Sequence, residues 1–214
     1  MSRSSESLTL PPVCLQRLAE LLSDGGRKIL GLVAAPGAGK STLAQALQAH
    51  LGQVAQVVPM DGFHLANSEL ERLGRRGRKG APDTFDAAGF VNLLQRIKTQ
   101  QPGDDAVYAP DFRREIEEAV AGAIAVQAST QLVITEGNYL LLDDPHWAQV
   151  REVADEIWYL DVPNDVRHAR LLARHMQFGR SQAQALDWIA NTDEPNAVRI
   201  AQTRSYAHLC ISWN

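Results

Sequence analysis

The segment 29–42 constrains the fold more than any other part of the chain. An apolar run, Ile-Leu-Gly-Leu-Val-Ala-Ala, is followed by Pro-Gly-Ala-Gly and then by a lysine and two hydroxyl residues. This order predicts a buried strand, a loop whose backbone N–H groups surround a phosphate, and a helix that begins at the loop. Glycines suit such a loop because no side chain blocks the approach of the phosphate. The chain is therefore predicted to bind a nucleoside triphosphate.

Each polar residue of this loop has an expected role. Lys40 is predicted to reach the β- and γ-phosphates, and the Ser41 hydroxyl is predicted to bind Mg²⁺. Ala34 stands where the usual pattern has its first glycine, and we expect it to be tolerated if its φ angle is negative. The residues predicted to surround the triphosphate are Pro36, Gly37, Ala38, Gly39, Lys40, Ser41 and Thr42.

Charge and composition argue against several classes of protein. The net charge is −4 and the pI is about 5.9, so no overall positive field favours nucleic acid. No apolar run approaches the roughly 18 residues that span a membrane, and the polar start at 1–9 lacks the apolar stretch of a secretory signal. Cys14 and Cys210 are far apart, as expected for reduced thiols. We expect a cytoplasmic protein without membrane insertion, either a monomer or a homodimer.

Apolar strands alternate with amphipathic helices along most of the 214 residues. Strands are predicted at 28–34, 54–60, 131–136, 156–162 and 207–213, and helices at 13–22, 42–51, 87–99, 164–178, 181–190 and 195–206. This alternation predicts an α/β fold in which helices cover both faces of a parallel sheet. We expect one domain over 1–214.

Two segments do not follow this alternation. Residues 61–85 are rich in glycine and arginine and show no periodicity, which predicts a long functional loop with one helical turn at most. Its basic cluster at 72–79 either closes over an anionic or polyhydroxyl substrate or is simply solvated. Residues 106–109 and 123–127 are predicted as two short strands, although 119–128 could equally form a helix.

Acidic residues follow two of the predicted strands. In a parallel sheet the carboxyl ends of neighbouring strands share one crevice, so Asp61 is expected to face a γ-phosphate bound by Lys40. A carboxylate there could orient an attacking hydroxyl or accept its proton, although Asp61 could also be a turn residue before Gly62. Glu136 could bind Mg²⁺ or its water, or have a structural role.

Other polar residues near these strand ends are candidates for substrate contact. They are His64, Lys79, Asp86, Tyr108, Arg113 and Asn138. Asp86 could instead cap the following helix, and Arg113 and its neighbour Arg114 could be surface charges. His64 could equally be structural.

Three arginines share one face of the helix predicted at 164–178. Arg167, Arg170 and Arg174 are spaced i, i+3 and i+7. Such a row can neutralise charge on a transferred phosphoryl group, or it can be a solvated face. Gly179 could serve as the hinge of a closing lid.

Together these segments resemble the uridine kinase, phosphoribulokinase and bacterial pantothenate kinase family of small-molecule kinases. Within that family the chain is most similar to the bacterial branch labelled fructose-transport-system kinase, or nucleoside/nucleotide kinase-like. The resemblance rests, in the family's order, on residues 34–42, 60–64, 79–86, 107–110, 135–142, 160–162, 174–175 and 191–196.

The resemblance implies a P-loop NTPase fold with a five-stranded parallel sheet in the order 2-3-1-4-5. It implies ATP and Mg²⁺ as co-substrates and an acceptor side at 61–86, and the two short strands are expected to form a hairpin insertion at 106–127. It also implies that Asp61 is the base, and that Arg174 and Arg180 belong to a lid at 174–192. Family members phosphorylate nucleosides, pantothenate or sugars, so the acceptor itself does not transfer.

We therefore expect an ATP- and Mg²⁺-dependent kinase that phosphorylates a hydroxyl of a small metabolite. Its predicted catalytic residues are Lys40, Asp61 and Arg174. The alternative is a regulatory ATPase that acts as a nucleotide switch on a partner such as a transporter. A guanine-nucleotide switch is less favoured, because the chain has no Asn-Lys-x-Asp segment.

Overall fold

The computed structural model describes residues 9–213. Its strands form a five-stranded sheet and a separate two-stranded sheet. The strands are β1 (Lys28–Val33), β2 (Ala55–Val57), β3 (Val107–Arg113), β4 (Glu118–Val126), β5 (Leu132–Gly137), β6 (Glu156–Asp161) and β7 (Leu209–Ser212). The polar start expected at 1–9 lies outside the described residues, apart from its last position.

The main sheet is parallel, with β1 at its centre. Its order is β2-β5-β1-β6-β7, and each neighbouring pair is parallel. Without the two strands of the hairpin, this is the predicted order 2-3-1-4-5, which is therefore confirmed. Leu32 of β1 lies opposite Glu136 of β5 on one side and Trp158 of β6 on the other. The carboxyl ends of all five strands consequently meet at one edge, where ligands bind in such sheets.

Helices cover the sheet and connect its strands. They are α1 (Pro12–Leu21), α2 (Lys40–Leu51), α3 (Asn67–Arg72), α4 (Ala87–Thr99), α5 (Val150–Val153), α6 (Asn164–Gln177), α7 (Gln182–Trp188) and α8 (Glu194–Ala201). Successive side chains of β1 point to opposite faces, so Ile29 packs in a cluster with α4 and Leu30 in one with α1 and α2. The sheet thus has an apolar layer on each face, as the alternating pattern predicted.

The predicted strand at 54–60 is shorter in the structure. It ends at Val57, because Pro59 cannot donate a ladder hydrogen bond and residues Met60–Phe63 form a 3₁₀ turn. The segment 61–85 is also more ordered than the loop we expected. It contains α3 and two further 3₁₀ turns, at Arg76–Arg78 and Pro82–Thr84.

Strands β3 and β4 form an antiparallel hairpin, so the helical alternative at 119–128 is wrong. The turn between them, residues 114–117, holds Glu117 at a φ of 52°. The hairpin crosses the Met60–Phe63 turn at very short range. A Cβ built on Gly62 would lie 2.3 Å from the carbonyl oxygen of Pro110, so glycine is required there.

The last helices are broken into shorter pieces than predicted. Helix α6 ends before Gly179, whose φ is +92°, and Ser181 starts α7 with a capping box. A π-helical turn at Ile189–Asp193 joins α7 to α8. The helix predicted at 195–206 stops at residue 201, and a separate 3₁₀ turn follows at Arg204–Tyr206.

Candidate active site

A cavity of about 460 Å³ lies at the carboxyl edge of the main sheet. It is bounded by the loop between β1 and α2, the segment after β2, the hairpin turn and the helices from α6 to α8. The residues predicted from the sequence that line it are Pro36, Gly37, Lys40, Ser41, Asp61, His64, Lys79, Glu136, Asn138, Arg174 and Arg180. The structure thus brings both predicted halves of the site, phosphate loop and acceptor side, to one space.

The phosphate loop, residues 34–42, depends on its two glycines. Gly37 and Gly39 have φ angles of +81° and +88°, which favour glycine. A Cβ on Gly37 would lie 2.7 Å from the backbone oxygen of Arg167, so α6 packs directly against the loop. Within residues 9–213, Glu117 is the one non-glycine residue with positive φ, so Ala34 meets the condition for its tolerance.

Other members of the loop do not line the cavity. Ala38 is buried, Gly39 packs against the Trp213 side chain, and Thr42 is exposed in the first turn of α2. Their predicted contact with the triphosphate stays a prediction, because it depends on where the nucleotide extends beyond the cavity.

Lys40 and Ser41 are held by polar partners across the cavity floor. The Lys40 ammonium donates to Oδ1 of Asn138 at 2.5 Å and to the carbonyl oxygen of Ala34 at 3.1 Å. The Ser41 hydroxyl donates to Oε1 of Glu136 at 2.7 Å. Lys40 and Ser41 begin α2, while Glu136 and Asn138 lie at the end of β5 and just beyond it. The pairing of β1 with β5 therefore assembles this group.

Burial dominates the electrostatics of this group. It lowers the pKa of Lys40, which the charges of Glu136 and Asp61 partly offset. Burial also raises the pKa of Glu136, and the negative charge of Asp61 raises it further. Both shifts mean that the charged forms are poorly solvated. A bound polyanion would stabilise the charged form of Lys40, and a cation bound with it would stabilise the charged form of Glu136.

Asp61 and Arg114 lie beside each other in the wall of the cavity. The Oδ2 atom of Asp61 lies 3.7 Å from Nη2 of Arg114, the first residue of the hairpin turn. Both side chains are partly exposed, so they can be reached by a small molecule in the cavity. The arrangement presents a carboxylate oriented by a cation, which can accept or align a hydroxyl proton.

His64 is held by one backbone contact and two aromatic rings. Its Nδ1 lies 2.8 Å from the carbonyl oxygen of Asp61, and its ring lies 4.0 Å from that of Phe85 and 4.7 Å from that of Phe112, between centroids. Burial lowers its pKa, so the ring is neutral at neutral pH. Since a carbonyl oxygen can only accept, Nδ1 carries the proton and Nε2 keeps a lone pair.

Lys79 joins the acceptor side to the hairpin. Its ammonium donates to Oδ1 of Asn67 at 2.7 Å and to the backbone oxygen of Glu117, and it lies 5.2 Å from the centroid of the Phe112 ring. Both of these acceptors are neutral. Burial lowers the pKa of Lys79. The Tyr139 hydroxyl donates to the oxygen of Gly80 and so ties the same segment to the main sheet.

Three of the predicted substrate residues do not line the cavity, so their contact with substrate stays a prediction. Asp86 caps α4, because its side chain accepts a hydrogen bond from the Gly89 N–H at 2.8 Å. Tyr108 is exposed on β3 and does not line the cavity. Arg113 pairs with Asp111 at 3.6 Å and also lies outside it, whereas Arg114 lies inside. The bulge between Ala109 and Asp111 shifts the strand alternation, which the sequence does not reveal.

The arginine row on α6 is divided between two roles. Arg167 is buried and donates to the Pro36 carbonyl at 2.9 Å, and it pairs with Glu194 at the same distance. It therefore braces the phosphate loop and does not line the cavity, so its role on a phosphoryl group stays a prediction. Arg170 approaches the oxygen of Ala38 at 3.4 Å. Arg174 lines the cavity, and burial lowers its pKa, as does the nearby Arg114.

Sequence reasoning missed His175 and Asp193 as parts of the site. Both are buried and line the cavity; they contact each other, and His175 also contacts Arg180. They belong to the segments used for the family resemblance, but the contact between them depends on how α6 meets the π-helical turn. No spacing rule for a single helix would have paired residues 175 and 193.

The described part of the chain contains no helix long and apolar enough to cross a membrane. Residues 9–213 also contain no group of three or more His, Cys, Asp or Glu side chains that could hold a metal ion together.

Known proteins are similar to this chain in sequence and in fold. The model of the phosphoribulokinase / uridine kinase family matches residues 29–213. A Schizosaccharomyces pombe protein, provisionally named as uridine kinase C227.14, is 35% identical over 193 residues, 86% of this chain and 81% of that protein. A Yersinia pestis pantothenate kinase is 27% identical over 202 residues, 86% of this chain and 63% of that protein. A Silicibacter sp. TM1040 protein of known crystal structure, provisionally named as a fructose transport system kinase, is 39% identical in sequence to this chain. It covers 95% of this chain and 100% of its own, with a TM-score of 0.83.

Proposed function

The chain belongs to the phosphoribulokinase / uridine kinase family and is an ATP-dependent phosphotransferase, and we propose that it transfers the γ-phosphoryl group of ATP to a hydroxyl of a small metabolite. The observation that carries the proposal is the shared cavity. Lys40 of the phosphate loop and Asp61 after β2 line the same space of about 460 Å³. A switch that only binds and hydrolyses a nucleotide needs no acceptor half of this kind.

Asp61 aligns the acceptor hydroxyl in this proposal. Its carboxylate would accept a hydrogen bond from the hydroxyl and take its proton as the new P–O bond forms. Arg114 at 3.7 Å orients the carboxylate from the opposite side. His64 supports the same step, because the lone pair on Nε2 can accept from a second hydroxyl of the acceptor.

The cations of the cavity stabilise negative charge on the transferred group. Lys40 would reach the β- and γ-phosphates once these displace Ala34 and Asn138 as its acceptors. Arg174 and Arg180 approach from the lid side and would neutralise charge on the γ-phosphoryl oxygens. Most of the rate enhancement would then come from positioning and charge, as is usual for this reaction.

Ser41 and Glu136 fit the role of magnesium-binding residues. The Ser41 hydroxyl oxygen lies 2.7 Å from a carboxylate oxygen of Glu136. Burial raises the pKa of Glu136, so a bound cation would stabilise its charged form. Hydroxyl and carboxylate oxygens are donors that Mg²⁺ prefers, with phosphate oxygens completing the shell. The bound ion would offset the negative charge of the triphosphate, while Ser41 and Glu136 fix the loop around it.

The acceptor class is proposed from the relatives and from the lining of the cavity. The relatives are named for uridine, pantothenate and fructose transport, so we propose a sugar, a nucleoside or a pantothenate-like compound. The acceptor side offers an aromatic ring, Phe112, beside the Lys79 ammonium. Such a surface suits a polyhydroxyl compound with one flat or anionic part.

A panel of acceptors tests this proposal. The protein is incubated with ATP, Mg²⁺ and each candidate, and phosphorylated products are detected by mass spectrometry. We expect at least one acceptor to be converted, and Lys40→Met to abolish the conversion. ADP and free phosphate at the same rate with every acceptor would instead favour the regulatory ATPase.

A further inference from the structure

Three side chains form a connected row at the lid side of the cavity. Nη1 of Arg180 lies 2.7 Å from Nδ1 of His175, and Nε2 of His175 lies 2.8 Å from Oδ2 of Asp193. His175 and Asp193 are buried, and all three residues line the cavity. A buried imidazole between a cation and a carboxylate needs an explanation, because phosphate binding by Arg180 does not require it.

The two partners fix the protonation state of the ring. A guanidinium can only donate hydrogen bonds, and a carboxylate can only accept them. Nδ1 of His175 must therefore carry a lone pair that accepts from Arg180, while Nε2–H donates to Asp193. The ring is neutral in this arrangement, and its tautomer is the one with the proton on Nε2.

The backbone and a second contact hold Arg180 in the same place. Gly179, with its φ of +92°, turns the chain after α6, and the Arg180 N–H donates to the His175 oxygen at 3.1 Å. The Arg180 guanidinium also lies 4.1 Å from the ring centroid of Trp188. Asp193 ends the π-helical turn, a rare geometry that often marks functional sites. These contacts hold Arg180 at the cavity that it lines.

We propose that His175 is a positioning residue, whose neutral ring, held by Asp193, fixes the Arg180 guanidinium at the cavity. A second proton on His175 would put an N–H group against the N–H groups of Arg180, and the hydrogen bond would break. Charged groups that contact the ring are Arg180 and Asp193, and Arg174, the preceding residue, lines the same cavity. Acid would therefore release Arg180 and weaken ATP binding. That last consequence rests on the proposed function, whereas the position of Arg180 does not.

The first test uses the unaltered full chain and no substrate. Two-bond ¹⁵N–¹H correlations of its histidine rings at pH 8 report each tautomer, and His175→Asn identifies the signal of residue 175. We expect the Nε2–H form for His175. An Nδ1–H form, or a ring already charged at pH 8, would overturn the proposal, whatever the ATP affinity of the variants.

The second test uses two variants that divide the contacts of the ring. In His175→Asn, the amide oxygen can replace Nδ1 and still accept from Arg180. In His175→Gln, the longer amide reaches toward Asp193 and leaves Arg180 without an acceptor. We expect ATP to bind His175→Asn within about threefold of the unaltered chain, and His175→Gln about tenfold more weakly, as for one lost charge-assisted hydrogen bond. Equal weakening in both variants would overturn the proposal.

The emission of Trp188 gives a readout that is independent of ATP. The fluorescence of each protein is measured from pH 8 to pH 5, and the fluorescence of the same protein with Trp188→Phe is subtracted from it. We expect one titration step in the unaltered chain and no step in His175→Asn. A step that persists in His175→Asn would overturn the role of His175. Failure of every protein to bind ATP would count against the proposed function alone.

Discussion

At the residue scale, the site combines charges and polar groups that burial leaves poorly solvated. The Lys40 ammonium and the Glu136 carboxyl both have pKa values shifted toward their neutral forms by burial. The Asp61 carboxylate lies on the acceptor side instead, where it pairs with Arg114 at 3.7 Å. This difference separates the groups that would bind the triphosphate from the group that would handle the acceptor hydroxyl.

Changing Asp61 should therefore affect turnover and not nucleotide binding. We expect Asp61→Asn to lower kcat by about 10²–10⁴-fold, with little change in the Kd for ATP, because an amide cannot take the hydroxyl proton. Steady-state kinetics and calorimetry measure the two quantities. Asp86→Asn is the matched control, since its amide can still cap α4 outside the cavity and its kcat should not change. A kcat for Asp61→Asn equal to that of the unaltered chain would remove Asp61 from this role.

His64 should make the stability of the protein depend on pH. Burial lowers its pKa below the ordinary 6.5, so below pH 6.5 the unfolded chain takes up a proton that the folded chain does not. The free energy of unfolding should consequently fall as the pH falls through this window. Urea unfolding at pH 7.5 and pH 5.5 measures the effect, and His64→Gln should reduce the difference between the two values. The exposed His50→Gln is the control, and an equal reduction there would contradict the assignment.

At the scale of elements, one side chain connects three parts of the fold. Arg27, just before β1, donates to the carbonyl oxygens of Ile97 and Thr130 at 2.9 Å each, and to that of Gln127 at 2.7 Å. The end of α4 and the turn before β5 are thereby joined to the start of the central strand. Ile97 and Gln127 also accept a backbone N–H at these oxygens, so Arg27 adds a second donor there and joins the three elements.

Removing this connection should destabilise the protein. We expect Arg27→Met to lower the free energy of unfolding by about 2–4 kcal/mol, because several hydrogen bonds that join α4, the turn before β5 and β1 are lost at once. Arg96→Met, on the exposed face of α4, should change it by less than about 0.5 kcal/mol. Urea unfolding measures both. Similar losses in the two variants would show that Arg27 acts only as a surface charge.

The sequence was informative where function depends on strand ends and poor where it depends on packing between distant elements. Lys40, Ser41 and Glu136 were predicted together because parallel strands end at one edge of the sheet, and the sheet order is confirmed. Arg113 was chosen over its neighbour Arg114, because the pattern did not show that β3 continues to Arg113 and that the turn begins at Arg114.

In the helical part of the site, too, the sequence did not predict contacts between distant elements. Arg167 has the spacing of a substrate-facing residue, yet it packs beneath the phosphate loop because Pro36 and Glu194 offer it acceptors. The contact between His175 and Asp193 depends on a π-helical turn, which the residue pattern did not predict. Such contacts are fixed by tertiary packing, which overrides local spacing.

At the scale of the whole molecule, the sheet edge, the hairpin and the lid helices surround one cavity with a phosphate-binding and an acceptor side. The hairpin lies so close to the turn after β2 that Gly62 has no room for a Cβ. Helix α6 likewise packs against Gly37. Both sides of the cavity are therefore fixed to the sheet by backbone contacts, as direct transfer between two bound substrates requires.

The most direct test of this account follows the γ-phosphorus atom itself. In a ³¹P NMR time course with ATP, Mg²⁺ and a converted acceptor, we predict that the γ signal is replaced one-for-one by a phosphomonoester signal on that acceptor. Replacement by inorganic phosphate, at a rate that does not depend on the acceptor, would contradict it.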